Sequence, residues 1–338
     1  MEELIEYLMR LMELNTTSDT GNEAACAAYL EREFRRYGVE TKVWTKGENR
    51  SSLAAWIPGK QKKTLVFHGH LDTAPYGEGV GWKFPPDRPS RIHHCICGRG
   101  ALDCKSQVAV WMKLMIEQKQ SGLQPDCSLL FLATADEENG GENGLSYVLE
   151  QSDCLDHSFL VLGEGGGFPF PFQDQWFYTF QTGERTDDWT TAPEEENPMR
   201  ILEEGIRKGY YSEEIKAYFS YDFPVSGRRL DLEPLYRGMG KNFRQMPDSD
   251  VFCHYQSVFQ RALSSFVPEA KLMPVITPGF SDNRYFRGLG IPTIGFFPLD
   301  YKNHLGGIHG KNEYISEQSL LLAYRVLQRA VNELILTK

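Results

Sequence analysis

The chain has 338 residues, of which 41% are hydrophobic and 24% are charged, a composition typical of a globular protein with a full core. Its formal net charge of -10 argues against nucleic acid or an anionic membrane as the main partner. No apolar run reaches the length of a membrane-spanning helix, and the acidic residues after Met1 are not typical of a signal peptide.

Seven cysteines are present, an odd number, and most of them lie in strand or helix patterns. We therefore expect buried thiols in a protein of the reducing cytoplasm. Alternatively, Cys95 and Cys97 bind a metal ion as a pair. Their one-residue spacing and the lack of a second cysteine pair favour a strand with both thiols on one face.

Strands alternate with helices through the first 165 residues, which predicts an α/β fold with a mostly parallel sheet flanked by helices. This alternation stops near residue 168 and returns near residue 250. We predict one main domain from residues 1–175 and 251–338, and a small inserted α+β lid at 176–250. A Gly/Pro-rich loop at 76–90 is expected to cover another part of the chain. The predicted helices are 2–14, 22–37, 104–121, 143–151, 197–208, 250–266, one that starts at Ser281, and 316–335, and the predicted strands are 39–45, 52–57, 64–68, 127–135, 159–162, 271–276 and 291–297.

The buried strand near residues 64–68 leads into a turn that presents His70 and Asp72. Asp72 can accept the proton of the imidazole nitrogen that faces away from a metal ion, an arrangement that orients metal-ligating histidines. An isolated His-x-Asp pair is also common in ordinary loops, so this prediction depends on ligands from other segments.

Other segments supply such groups at the ends of strands or in loops, namely Asp103, Glu137 with Glu138, Glu164 and His309. In a mostly parallel open sheet the carboxyl ends of the strands line one crevice, so these side chains should converge. Two imidazoles and three carboxylates suit two borderline cations, best Zn²⁺, with one carboxylate between them.

Each candidate also has a purely structural interpretation. Asp103 has a short side chain on a Gly-flanked turn, which suits a bridging ligand, or it caps the following helix. Glu137 and Glu138 point to different sides, so one should ligate and the other act as general base, or both belong to a solvated turn. Glu164 closes a buried strand and needs a partner there. His309, in a glycine-rich loop, is equally consistent with plain surface.

Six segments in this order resemble the di-zinc aminoacylase/carboxypeptidase metallopeptidase family: HGHLDT, GRGALDCKS, ADEENGG, GEGGG, TPGFSDNRYFRGLGIPTIGF and HGKNE. That family includes aminoacylase-1, acetylornithine deacetylase, succinyl-diaminopimelate desuccinylase, carboxypeptidase G and carboxypeptidase S. The resemblance covers residues 60–170 and 250–320. It implies a zinc-peptidase-like catalytic domain that cleaves the amide bond of an N-acyl amino acid or small peptide, with two Zn²⁺ per chain or Co²⁺ or Mn²⁺ in their place.

Residue by residue, the resemblance assigns two metal sites and two catalytic residues. The implied ligands are His70 and Glu164 for the first ion and Glu138 and His309 for the second, with Asp103 bridging them. The implied catalytic residues are Asp72, which orients His70, and Glu137, the general base. A co-catalytic zinc aminopeptidase of a related fold is an alternative that would require substrates with a free amino terminus.

The lid departs from the family pattern. Its usual Gly-His-x-Ser motif supplies a histidine that stabilises the oxyanion across a dimer, but Asp188-Trp189-Thr190-Thr191 stand at that place. No histidine occurs between His157 and His254. Losing one oxyanion donor typically costs about 10²–10³ in rate. The alternative is therefore a catalytically impaired metal-binding pseudoenzyme or partner protein.

Arg244 resembles the lid arginine that receives a substrate carboxylate, with a surface arginine as its alternative. We expect a monomer or homodimer.

Overall fold

The computed structural model describes residues 1–172, 175–185, 243–245, 249–277 and 281–336. The strands in these residues are β1 (Glu40–Lys46), β2 (Arg50–Ile57), β3 (Gln61–His70), β4 (Ser90–Ile92), β5 (Cys95–Cys97), β6 (Cys127–Thr134), β7 (Ser158–Gly163), β8 (Pro169–Phe172), β9 (Gln175–Arg185), β10 (Phe243–Gln245), β11 (Lys271–Thr277), β12 (Thr293–Gly295) and β13 (Tyr314–Ser316). The α-helices are α1 (Glu2–Glu13), α2 (Glu23–Arg36), α3 (Lys105–Gln120), α4 (Leu145–Gln151), α5 (Ser249–Ser264), α6 (Asn283–Gly288) and α7 (Glu317–Ile335).

Ten of these strands form one sheet, in the order β1-β2-β6-β3-β7-β12-β9-β10, with β8 and β11 also paired to β9. The centre is parallel, because β3 pairs with β6 and β7, and β7 pairs with β12, in the same direction. Antiparallel pairs flank this centre, from β1 to β6 on one side and between β9 and β12 on the other. The α/β prediction is therefore confirmed, and the sheet as a whole is mixed.

Helices cover both faces of the sheet. They are needed on both because successive side chains of the central strands point to opposite faces and are buried on each. Leu65 and Phe67 of β3 point into the larger core, in which Phe67 stacks on Trp111 of α3 with 4.9 Å between ring centroids. Val66 points to the opposite face, where it packs in a smaller core with Leu145 of α4 and Phe286 of α6. Burial on both faces explains why the central strands are continuous apolar runs.

Two contacts connect the segment from Arg99 to Lys105 with α1 and with the loop at 76–90. Lys105, at the start of α3, is 1% exposed and donates from Nζ to the carbonyl oxygens of Leu11 and Leu14, at 2.9 and 2.8 Å. These bonds tie α3 to the carboxyl end of α1, where the Leu11 carbonyl also accepts the N–H of Leu14 at 3.3 Å. The loop at 76–90 covers Arg99, because the Trp82 ring lies 5.2 Å from the Arg99 guanidinium carbon.

Some predicted elements differ from the structure. The aromatic and proline-rich segment at residue 168 forms β8, where we predicted a break, and the strand predicted at 291–297 is limited to Thr293–Gly295. The predicted helix at 197–208 lies outside the described residues. The division into a main domain and a lid at 176–250 stays a prediction, although β9 crosses its first boundary and belongs to the main sheet. In the ranges that the structure describes, no helix is long and apolar enough to cross a membrane.

Candidate metal centre

Three neighbouring parallel strands end at the same edge of the sheet and carry most of the candidate residues. β3 ends at His70, β6 ends at Thr134 just before Glu137 and Glu138, and β7 ends at Gly163 just before Glu164. The order β6-β3-β7 makes these strand ends adjacent. Asp103 comes from the loop before α3, and His309 comes from the loop between β12 and β13.

His70 is fully buried and directs its Nε2 atom toward carboxylates. Nε2 lies 3.0 Å from Asp103 Oδ1, 3.3 Å from Glu164 Oε2 and 4.0 Å from Glu137 Oε2. The other ring nitrogen, Nδ1, lies 2.9 Å from the backbone oxygen of Asp72 and 3.5 Å from its carboxylate. Both the backbone oxygen and the carboxylate of Asp72 therefore face this nitrogen, and the backbone oxygen is the nearer acceptor.

His309 contributes the second imidazole. Its Nε2 atom lies 2.9 Å from Asp103 Oδ2 and 2.9 Å from Glu138 Oε2. The residue has a backbone φ of 54°, in the left-handed region that non-glycine residues adopt infrequently. His309 therefore faces the carboxylate cluster and is not plain surface.

Asp103 lies between the two histidines and uses one oxygen for each. Helix α3 begins at Lys105 with Cys104 at the cap position, and no side chain caps its first turn. The alternative of a capping aspartate is therefore wrong, because the Asp103 carboxylate faces the imidazoles instead. A carboxylate shared by two separate ligand groups is the geometry that a bridging ligand requires.

Asp72 holds the acidic turn after β6. Its Oδ1 accepts the backbone N–H of Glu137 at 3.1 Å, and its Oδ2 accepts that of Glu138 at 2.9 Å. The Glu137 side chain lies on the His70 side, at 4.0 Å, whereas Glu138 lies on the His309 side. A carboxylate oxygen of Glu138 also lies within 4.8 Å of ligand atoms of His70 and Asp103, so both glutamates face the same cluster.

Burial and charge act in opposite directions on these groups. Burial lowers the pKa of His70, but the electrostatic effects of Cys104 and Glu164 and the hydrogen bonds to Asp103 and Asp72 outweigh it and raise the pKa well above its ordinary value. His309 is affected in the same way by Asp103 and Glu138, and its pKa rises to about 10. Burial raises the pKa of Asp103, but hydrogen bonds to both histidines hold it well below its usual range.

This donor set fits cations. Two imidazole nitrogens face carboxylate oxygens at 2.9–3.3 Å, an arrangement that requires positive charge between them in the form of protons or metal ions. Imidazole and carboxylate together are ligands that Zn²⁺ prefers. His70 is completely buried, but the side chains of Asp103, Glu164 and His309 keep 14–16% exposure, so the centre opens to solvent on one side.

Sequence reasoning missed the residues that support the acidic turn. Asp136 has a left-handed φ of 65°, and its carboxylate accepts hydrogen bonds from Asn139 and from the backbone and side chain of Asn143. Arg284 and Tyr285 both donate to the backbone oxygen of Gly140, at 2.5 and 2.7 Å. The Ser-Asp-Asn-Arg-Tyr segment carries part of the family resemblance, but its proximity to the turn is visible only in three dimensions.

Arg244 lies in β10, and its backbone lies opposite that of Glu184 in the antiparallel pairing of β10 with β9. Its side chain lies outside the part of the structure that is described, so its assigned role stays a prediction. Residues 188–191, at the place of the lid histidine, also lie outside the described residues.

A family model described as peptidase family M20/M25/M40 matches residues 66–333. A succinyl-diaminopimelate desuccinylase of Coxiella burnetii (strain Dugway 5J108-111) is 30% identical over 166 residues, 48% of this chain and 43% of that protein. A probable succinyl-diaminopimelate desuccinylase of Staphylococcus aureus (strain Mu50) is 28% identical over 166 residues, 49% of this chain and 40% of that protein. The chain therefore matches less than half the length of these curated relatives.

Two solved structures are similar over nearly the whole chain. An M20 family metallo-carboxypeptidase of Sulfolobus solfataricus has a TM-score of 0.67 and 16% identity, covering 98% of this chain and 99% of that one. Human carnosine dipeptidase 1 has a TM-score of 0.63 and 14% identity, covering 98% and 97%. Identities this low show only that the fold is shared. The family model matches most of the sequence and therefore shows the family. The chain belongs to peptidase family M20/M25/M40, a family of hydrolases.

Proposed function

We propose that the chain is a metal-dependent hydrolase that cleaves the amide bond of an N-acyl amino acid or small peptide. The observation that carries this proposal is the Asp103 carboxylate, whose two oxygens lie 3.0 and 2.9 Å from the Nε2 atoms of His70 and His309. Membership of a peptidase family supports the reaction class. The substrate is expected to be a small molecule rather than a nucleic acid or a membrane.

The proposed ligands follow from the two groups of side chains around Asp103. His70 and Glu164 would hold the first cation, and Glu138 and His309 would hold the second, with Asp103 shared. Zn²⁺ suits these ligands best, and Co²⁺ or Mn²⁺ are alternatives. When bound, two such cations promote the ionisation of a water and polarise an amide carbonyl.

Glu137 would serve as the general base. The residue is 3% exposed, and its carboxylate lies beside His70 and Glu164, with Oε2 4.0 Å from His70 Nε2. From there it can take a proton from the attacking water and pass it to the leaving amine. Asp72 contributes by fixing the backbone of Glu137 and Glu138 beside the centre.

Arg244 is proposed to receive the substrate carboxylate through its guanidinium. All seven cysteines are free in the structure, which supports a reducing compartment, and we propose the cytoplasm. A monomer or a homodimer remains the proposed assembly.

The test combines metal analysis with a substrate panel. Protein loaded with Zn²⁺, Co²⁺ or Mn²⁺ is incubated with N-acyl amino acids, N-succinyl-diaminopimelate and dipeptides with free or blocked amino termini. Hydrolysis that requires metal and that the E137Q variant lacks supports the proposal. Activity restricted to free amino termini favours an aminopeptidase. Two bound ions without turnover, and an unchanged E137Q variant, favour a metal-binding pseudoenzyme.

A further inference from the structure

Arg99 and Glu313 form a buried ion pair next to the candidate metal centre. Arg99 Nη1 lies 2.7 Å from Glu313 Oε2, and the two side chains are 4% and 0% exposed. Arg99 lies at the start of the loop that carries Asp103, and Glu313 lies at the end of the loop that carries His309. The pair therefore lies where these two loops meet.

The Glu313 carboxylate holds the loop of Asp103 by its backbone. Oε1 accepts the N–H groups of Leu102 and Asp103, at 2.7 and 3.1 Å, and Oε2 accepts that of Gly100 at 3.1 Å. Burial raises the pKa of Glu313 above its ordinary value, although the Arg99 charge and the N–H groups of Leu102 and Asp103 act in the opposite direction. Three backbone bonds to one carboxylate leave the turn around Asp103 little freedom to move.

Arg99 holds the loop of His309 by its carbonyl groups. It donates to the backbone oxygens of Gly307 and Gly310, which lie on either side of His309, at 3.2 and 2.7 Å. A Cβ atom at Gly307 would overlap the backbone of Glu313, so glycine is required for this close approach. The Trp82 ring covers the Arg99 guanidinium and keeps water from the pair.

We propose that the Arg99–Glu313 pair is a positioning device that holds Asp103 and His309 at the separation that one cation needs, and thereby sets the affinity of the second ion. The inference rests on the proposed function. The second ion would take Asp103 and His309, both from loops that the pair holds. The first ion would take His70 and Glu164 at strand ends. Among its ligands, only Asp103 lies in a loop that the Arg99–Glu313 pair holds. Loss of the pair should therefore weaken the second ion more than the first.

The experiment is a Co²⁺ titration of the metal-free full chain, followed by the visible absorption of the bound ion. Wild type should bind two ions. Removing a group that supports metal ligands typically costs about 10–100-fold in affinity, so E313Q should lose that much for one ion and little for the other. R99K, which keeps the charge but loses the planar fork of donors, should show the same selective loss.

The control is a second buried pair away from these loops. Glu184 and Arg287 are both fully buried and 2.8 Å apart, so E184Q removes a comparable charge. Thermal unfolding of the metal-free variants shows whether E184Q and E313Q lose similar stability. E184Q should nevertheless bind the second ion as wild type does, because in the described part of the chain Glu184 does not contact the loops of Asp103 and His309, and this separates positioning from general destabilisation.

A double variant locates the effect. In H309A, which lacks a ligand of the second ion, adding E313Q should reduce the remaining Co²⁺ affinity little, because the two changes act on the same site. Equal loss of both ions in E313Q and R99K, or no loss in either variant, overturns the inference alone. Wild type that binds no Co²⁺ overturns the proposed function itself.

Discussion

His309 Nε2 lies 2.9 Å from Asp103 Oδ2, which joins two loops that are far apart in the chain. The other oxygen of Asp103 lies 3.0 Å from Nε2 of His70, at the end of β3. One short carboxylate therefore connects the two halves of the candidate centre. The consequences of this arrangement can be tested by single substitutions.

Asp103→Asn should reduce the binding of both ions, because an amide replaces the carboxylate shared by the two groups of ligands. His70→Ala and His309→Ala should each weaken mainly one ion. Elemental analysis after dialysis measures the ions per chain. His157→Ala, at an exposed histidine, is the control and should keep two ions. Two ions retained in the Asp103 variant would remove its bridging assignment.

Glu137→Gln should keep both ions and lower kcat by about 10²–10⁴, the range of a general base. The amide cannot take a proton from water, but it has nearly the same size as the carboxylate. Steady-state kinetics and metal analysis on the same preparation test this expectation. Glu142→Gln, at an exposed glutamate on the following loop, should leave kcat unchanged. A Glu137 variant with wild-type kcat would show that another group takes the proton.

Asp72→Ala should weaken the second ion more than the first. The variant loses the bonds to the N–H groups of Glu137 and Glu138, whereas the backbone oxygen that contacts His70 Nδ1 remains. A Co²⁺ titration measures both affinities. If the first ion is the one weakened, Asp72 acts mainly through His70, as the sequence alone suggests.

The stability of the metal-free protein should fall as pH rises from about 6.5 to about 10. The pKa of His309 rises from 6.5 to about 10 in the folded chain, because the Asp103 and Glu138 carboxylates outweigh burial. A raised pKa stabilises the fold fully below the unfolded value, and this contribution is lost as pH passes the folded value. Urea unfolding across this range measures the loss. His309→Gln should remove this part of the dependence, and bound metal, which takes the place of the proton, should also flatten it.

Lys105→Met should lower the free energy of unfolding by about 1–3 kcal/mol, the cost of leaving buried polar groups without partners. The substitution keeps an apolar chain of similar length but removes both bonds to the carbonyls of Leu11 and Leu14. Urea denaturation of the metal-free protein measures the change. Lys119→Met, at an exposed lysine of the same helix, is the control. Equal effects in both variants would show that these two bonds contribute no net stability.

Most helices and central strands could be predicted from local patterns. The spacing of Leu4, Leu8 and Leu11 predicts α1, and the apolar run before His70 predicts β3, because burial of one face or of both faces leaves a periodic record in the sequence. Because of the prolines near residue 168, the local pattern predicts a break in the place where β8 forms. Its pairing with β9 depends on a partner that local pattern does not identify.

The candidate residues could also be chosen from sequence, since polar groups that follow buried strands are few and chemically distinctive. Their precise partners could not. Sequence suggests that the Asp72 carboxylate orients His70, but it does not suggest that this carboxylate also accepts the backbone N–H groups of Glu137 and Glu138. Arg99 and Glu313 lie inside the GRGALDCKS and HGKNE motifs, yet nothing in those motifs shows that they contact each other.

By itself, the sequence determined the alternation of elements and the kinds of side chain that end the central strands, because both depend on burial patterns within short segments. Only the tertiary structure decided that Asp103 faces two histidines instead of capping α3, and that Arg99 and Glu313 join the loops around it. Hydrogen bonds act over about 3 Å and depend on direction. Partners from distant loops are therefore selected by the packing of the whole sheet and its helices.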